Sequence, residues 1–211
     1  MARAGVTPGM RKILAATGNT HKLREIRAIL EPVGCRVLGA AEVGGIPEVL
    51  EDGDSFEANA IKKATEVARA KRCFVLADDS GLEVEALGGA PGIYSSRYAG
   101  EEADDARNLA KLLQSLDGVS ARAARFVCVV AVAGPDGVVG TARGEVTGRI
   151  IDAPRGCNGF GYDPVFVPEG YAKTFAEFPA ATKNGISHRR AALRAAVRSG
   201  LFGPGQTANG G

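Results

Sequence analysis

Apolar and polar positions along the chain follow first one period and then another, and the switches predict strands and helices in turn. Residues 12–16 (KILAA) form a short apolar run of strand character, and Thr17-Gly18-Asn19 turns it into a helix over residues 20–30. Leu23, Ile26, Ile29 and Leu30 share one face of that helix, with Thr20 as its expected N-cap. Residues 36–38 read as a second strand. The helical period returns over residues 55–71, where Ile61, Ala64 and Ala68 make one stripe and Asp54 and Glu57 are spaced as a capping box. Residues 73–77 (CFVLA) predict a buried strand that stops at Asp78-Asp79-Ser80-Gly81, and residues 103–116 a further helix. The clearest pairing joins residues 125–133 to 138–150 through Gly134-Pro135-Asp136-Gly137, an antiparallel hairpin. A last helix is predicted from Ser187 to about Arg198. The pattern therefore predicts a mixed α/β fold, and it leaves the strand order open.

The two ends, residues 1–10 and 203–211, are rich in Gly, Pro and small residues and read as flexible extensions of one domain, residues 11–202. The chain of 211 residues is 45% hydrophobic and 24% charged, ordinary for a globular protein, which keeps the single domain as the default. Its formal net charge of +2 lacks the field of a dedicated nucleic-acid binder, so no stable nucleic-acid partner is expected. Its longest apolar run, residues 126–133 (FVCVVAVA), is far too short to span a membrane and reads as a strand. The opening MARAGVTPGM has no apolar signal core, which predicts a cytoplasmic protein. Cys35, Cys73, Cys128 and Cys157 form no CxxC pair and are expected as free thiols.

Four segments carry candidate chemistry. Thr17-Gly18-Asn19-Thr20-His21-Lys22 sits where a strand opens into a helix, a place where backbone N–H groups and the helix dipole receive phosphate. Gly18 lets the backbone approach, Asn19 can donate, and Lys22 supplies a point charge; the same segment also reads as an ordinary capped turn. The second is acidic: Glu51-Asp52-Gly53-Asp54 before a helix, and Asp78-Asp79 beyond an apolar strand. One carboxylate from each stretch would suit a magnesium ion whose shell is completed by water and phosphate. Alternation along a strand means that only one of Asp78 and Asp79 faces such a site. The third, Gly159-Phe160-Gly161-Tyr162-Asp163-Pro164, offers aromatics for stacking on a base, or a turn whose rings fill the core. The fourth, Lys183 with Ser187-His188-Arg189, puts cations at the start of a helix, the unfavourable end for the dipole.

Five segments in order, ATGNTHK (16–22), EDGDSFEANAIKKA (51–64), LADDSGLEVEALGGAPGIYSSRYAG (76–100), GFGYDPVF (159–166) and ISHRRAAL (186–193), closely resemble the inosine/xanthosine triphosphate pyrophosphatase family. The resemblance covers nearly all of the chain between its ends. It implies an elongated two-lobed α/β fold, with a central mixed sheet flanked by helices, an active-site cleft between the lobes, and a homodimer. It implies hydrolysis of non-standard purine nucleoside triphosphates (ITP, dITP, XTP, dXTP) to the monophosphate and pyrophosphate, with Mg2+ as cofactor. On the family's motifs, Thr17, Gly18, Asn19, Thr20, His21 and Lys22 fall on the triphosphate-binding segment. Glu51 and Asp79 fall on the metal ligands, with Asp79 also on the base for the attacking water and Lys22 beside it as a catalytic cation. Ser80 matches a substrate contact, while Phe160, Gly161, Tyr162, Asp163, Lys183, His188 and Arg189 match the nucleoside pocket. Lys63 and Arg97 lie in motif segments from which they could reach phosphate, with a structural role for Arg97 equally open. Tyr162 departs from relatives that carry tryptophan there, and stacking is expected to survive the change.

Substrate choice is expected to turn on the purine edge, with Arg189 or a backbone N–H donating to a 6-oxo group that adenine lacks. Two other readings are weighed. A Maf-type pyrophosphatase would have Ser and Arg where this chain has Thr17-Gly18-Asn19 and Lys22. A non-catalytic nucleotide sensor or RNA-binding module fits poorly with the near-neutral charge and the paired acids.

Overall fold

A computed structural model describes residues 11–100, 102 and 104–202. The expected extensions at residues 1–10 and 203–211, and the predicted helix start at Ala103, lie outside the described residues. Six strands make one mixed sheet: β1 (Arg11–Ala15), β2 (Cys35–Leu38), β3 (Val75–Val84), β4 (Ala123–Gly134), β5 (Gly137–Ile150) and β6 (Phe166–Pro168). Their order is β2-β1-β3-β4-β5-β6. β1 lies parallel to both neighbours because helices α1 (Thr20–Leu30) and α2 (Phe56–Lys71) carry the chain back across the sheet. The remaining pairs are antiparallel. Three further helices follow: α3 (Asp105–Ser115), α4 (Ala180–Ile186) and α5 (His188–Arg198).

Successive residues of β3 and β4 face opposite ways, and this sorts the interior into three cores. Val75 and Ala77 with Val127, Val129 and Ala131 pack against Ala60, Ala64, Val67 and Ala68 of α2. On the other face Leu76, Cys128, Val130 and Val132 meet Ile26 and Leu30 of α1 and Leu193 and Ala196 of α5. Farther along that same face, Leu82, Val84 and Phe126 meet Phe166, Phe175, Leu112 of α3 and Leu116 just beyond it. The last two cores are the bodies of two lobes that share β3, β4 and β5. β4 is covered on both sides, which explains its unbroken apolar run.

Four local expectations are corrected. β3 does not stop at Asp78; it continues to Val84, paired residue by residue with β4. Ser80-Gly81 looks like turn chemistry, but Gly81 is there for close approach: a Cβ would lie 2.4 Å from both Gly92 O and Ser95 Oγ. The cap of α1 is Asn19 rather than Thr20, its Oδ1 accepting from the N–H groups of His21 (2.8 Å) and Lys22 (3.1 Å). The cap of α2 is Ser55 rather than Asp54, and Glu57 instead accepts from Thr141 Oγ1. Cys73 precedes β3 rather than belonging to it, and α4, with Asn and Gly in its last turn, had no periodic signal.

Candidate active site

The catalytic candidates gather where β1 ends. β1 pairs with β3 only as far as Ala15 opposite Leu76, so from Asp78 onward this edge of β3 has no strand beside it until an isolated bridge from Glu83 to Pro91. Ligands of open α/β sheets bind beyond such strand ends, here the end of β1 rather than of β3. Thr17–Lys22 arches over the gap. Thr17 Oγ1 accepts from the Asn19 N–H at 3.1 Å, and Asn19 then caps α1. A Cβ on Gly18 would meet nothing within 4 Å, so the backbone there is open to a ligand. Gly18, Asn19, Thr20 and His21 are exposed, while Lys22 leans inward to Asp78 Oδ2 at 3.4 Å.

Alternation along β3 sends Asp78 and Ser80 toward α1 and α5, and Asp79 toward α2. Asp78 receives Arg189 Nε at 3.1 Å and Nη2 at 2.9 Å, and Nη2 also donates to Ser80 Oγ at 2.9 Å. Burial alone would raise the Asp78 pKa, but the charges of Lys22 and Arg189 outweigh it and hold the carboxyl far below its usual range. Asp79 has neutral donors: Asn59 Nδ2 to Oδ2 at 3.0 Å and its neighbour's N–H, Ser80, to Oδ1 at 2.9 Å. Burial pushes its pKa up to about 6, with Lys22 opposing and the negative charge of Glu51 reinforcing the rise. Glu51, half-buried, is paired with Lys63, and its carbonyl accepts from Arg97 Nη2 at 3.1 Å. Arg97 thus ties the Glu51 loop in place.

Among the described residues no three His, Cys, Asp or Glu side chains form a metal cluster. A pair such as Glu51 and Asp79 suits an ion that keeps waters and takes substrate phosphates, as magnesium does. The Glu51 charge acts on Asp79, so the two carboxylates stand near each other and fit a divalent ion that takes Glu51 from Lys63.

The nucleoside candidates close the site on the α5 side through an alternating chain of charges. Lys22 meets Asp78, Asp78 meets Arg189, Arg189 meets Glu25, Glu25 meets Lys183 at 2.8 Å, and Lys183 meets Asp163 at 2.5 Å. Burial works to raise Glu25, but Arg189 and Lys183 bring its pKa down; burial raises Asp163 in spite of Lys183. Asp163 Oδ2 also accepts from the Phe160 N–H at 3.0 Å, which shapes the loop. The half-buried Phe160 ring lies 4.7 Å from Lys183 Nζ, 5.9 Å from the Arg189 guanidinium and 5.4 Å from the His21 ring. The phosphate and nucleoside segments therefore meet at His21 and Phe160. Gly161 is tied by its N–H to Asp105 Oδ2 at 2.8 Å, next to the start of α3.

Three expectations change here. Tyr162 is not a stacking platform: it is 4% exposed, packs in the α3-side core and donates its hydroxyl to Ser95 O at 2.9 Å. Arg189 is 0% exposed and bound to Asp78, Glu25 and Ser80, so its guanidinium is a buried tie rather than an open donor to a base edge. His188 stacks on Phe126 at 4.7 Å, and burial with the nearby Arg189 and Lys183 charges drives its pKa well below the usual histidine value, so it is neutral. Its Nδ1 is buried without a partner. Two buried polar residues, Glu25 and Asn59, were missed in the sequence. Their one signal was a polar side chain within the apolar stripe of an otherwise regular helix. A groove of about 820 Å3 bounded by Val84, Arg125, Thr147 and Tyr171 contains none of these groups.

Known proteins resemble this chain in sequence and fold. The profile of the Ham1 family matches residues 13–199. The dITP/XTP pyrophosphatase of Bacillus subtilis (strain 168) is 48% identical over 187 residues, covering 88% of this chain and 94% of that protein. The dITP/XTP pyrophosphatase of Desulforamulus reducens is 50% identical over 188 residues, covering 88% and 94%. The solved structure of the Staphylococcus aureus Ham1 protein superposes with a TM-score of 0.78 at 43% identity, over 90% of this chain and 99% of that one. That of a nucleoside-triphosphatase / dITP/XTP pyrophosphatase from Mycobacterium abscessus gives 0.70 at 42% identity, over 87% and 97%.

Proposed function

Because the chain belongs to the Ham1 family, we propose that the cleft beside β3 is the active site of a non-standard purine nucleoside triphosphate pyrophosphatase, which turns dITP, ITP or XTP into the monophosphate and pyrophosphate. The observation that carries this reading is the split of Asp78 and Asp79 on the free edge of β3, beneath the open Thr17–Lys22 arch. Lys22 and the backbone of the arch neutralise the triphosphate. Asp79 orients a water and takes its proton as the water oxygen bonds to the α-phosphorus. The bond from that phosphorus to the oxygen bridging to the β-phosphate breaks, and the electron pair leaves on pyrophosphate. Glu51 and Asp79 would hold Mg2+, which supplies charge neutralisation for the phosphates. Preventing the incorporation of such bases into DNA and RNA is the consequence of this activity.

The base stacks on the open side of Phe160. With Arg189 committed to Asp78, Glu25 and Ser80, the donor to a purine 6-oxo group would be a backbone N–H, which an amino group at position 6 would leave unpaired. Free nucleotides as substrates would place the protein in the cytoplasm, and none of its described helices is long and apolar enough to cross a membrane. The homodimer expected from the family is open to sedimentation velocity.

Incubation with Mg2+ and dITP, XTP, GTP, ATP or dUTP, followed by separate assays for pyrophosphate and orthophosphate, tests the reading. Pyrophosphate from dITP and XTP, with little from the others, is expected. Orthophosphate alone would refute the cleavage position, equal rates with ATP or GTP the selectivity, and unchanged rates in EDTA the metal.

A further inference from the structure

Asn59 stands on the buried stripe of α2 beside Phe56 and Ala60 and is 1% exposed. A polar side chain in that position is costly unless both ends of its amide are satisfied. Both are. Nδ2 donates to Asp79 Oδ2 at 3.0 Å, and Oδ1 accepts from the Gly53 N–H at 2.8 Å. Asp79 belongs to β3, whereas Gly53 is two residues beyond Glu51 in the loop before α2. One rigid amide therefore joins the two separate elements that carry the carboxylates. The loop is shaped around this joint: a Cβ on Gly53 would lie 2.7 Å from Asn59 Oδ1 and 2.9 Å from the Ala58 Cβ.

Few side chains could substitute. Aspartate would still accept from Gly53 but would set a negative charge against Asp79. Leucine would leave both partners unpaired, and glutamine would push the amide outward by a methylene. Resting on the reading of Glu51 and Asp79 as the metal-holding pair, we propose that Asn59 is a positioning residue that fixes the spacing of those carboxylates and thereby sets the affinity for the divalent ion. It does so without touching ion or nucleotide.

The test is a titration of nucleotide-free protein with Mn2+, in which electron paramagnetic resonance reads the free ion, for wild type, Asn59→Leu and Gly53→Ala. The Mg2+ dependence of pyrophosphate release and thermal unfolding are measured alongside. Asn59→Leu is expected to weaken Mn2+ binding about ten- to a hundredfold and to raise the half-saturating Mg2+ by a similar factor, with most of the rate regained at saturating Mg2+. A merely structural role would lower the melting temperature and leave the Mg2+ requirement alone. Gly53→Ala, which crowds the same joint from the loop side, is expected to shift binding in the same direction by less, and it decides the matter if Asn59→Leu does not fold. Folded variants that bind Mn2+ within about twofold of wild type would overturn the proposal. Wild-type protein that neither binds Mn2+ nor needs Mg2+ would remove the metal reading itself, and this inference with it.

Discussion

On the face of β3 that packs against α1 and α5, Asp78 is enclosed by Arg189 and Lys22; one residue on, facing α2, Asp79 is held by a neutral amide and a backbone N–H. The two side chains are chemically identical and almost equally buried. Their neighbours drive them apart, Asp78 toward permanent ionisation and Asp79 up to about 6. A buried carboxylate that is already matched by full charges belongs to the scaffold. One hydrogen-bonded by dipoles, with a cation only at a distance, keeps a negative charge that a metal ion or a water proton can still use.

The largest test of that contrast is Asp79→Asn, expected to slow pyrophosphate release by about 10²–10⁴-fold while leaving the melting temperature of the metal-free protein undiminished. Near wild-type turnover at saturating Mg2+ would erase the distinction. Asp78→Asn should do the reverse first: it leaves Arg189 buried with less compensation, so urea unfolding should show a loss of about 3–5 kcal/mol. A variant as stable as wild type would make Asp78 something other than scaffold.

Next comes pH. The folded pKa of Asp79 lies above its ordinary value, so metal-free folded protein binds a proton that the unfolded chain has released, and stability falls as pH rises through about 4 to 6. The shift is worth on the order of 3 kcal/mol. In EDTA, Asp79→Asn should remove this share of the slope, leaving that of Asp163, and be the more stable protein at pH 8. Asp78 has the opposite sign: its depressed pKa stabilises the fold above the ordinary carboxylate range and is lost only in strong acid. The smallest pair compares aromatics. Phe160→Leu should raise KM for dITP about tenfold through lost stacking, and Tyr162→Phe should cost about 1 kcal/mol of stability with KM unchanged. Equal KM effects would return Tyr162 to the pocket.

What the chain reveals before folding divides along similar lines. The Thr17–Lys22 arch, the hairpin of β4 and β5, and helices α1, α2 and α5 were legible because caps, turns and periodicity are local. The run of β3 past Asp78 was not, since its Ser-Gly pair imitates a turn and only the ladder with β4 overrides it. Tyr162 follows the turn-like Gly159-Phe160-Gly161, and nothing near it in sequence reports that its hydroxyl will find Ser95. The role of Arg189 is set by Glu25 and Asp78, each more than a hundred residues away. Which acid is scaffold and which is chemistry is thus written in partners, and partners are a property of the folded chain.

The alternating chain from Lys22 to Asp163 also constrains how this protein can diverge. Each interior member neutralises two neighbours, so replacing one alone strands an opposite charge out of water. Replacing the cation and anion at one end together, Lys183 with Asp163, removes charges of both signs and leaves every remaining member paired. Single steps along this chain are therefore penalised where double steps are tolerated. Descendants of this sequence should inherit these charges as couples, with each change in one waiting on a change in its mate.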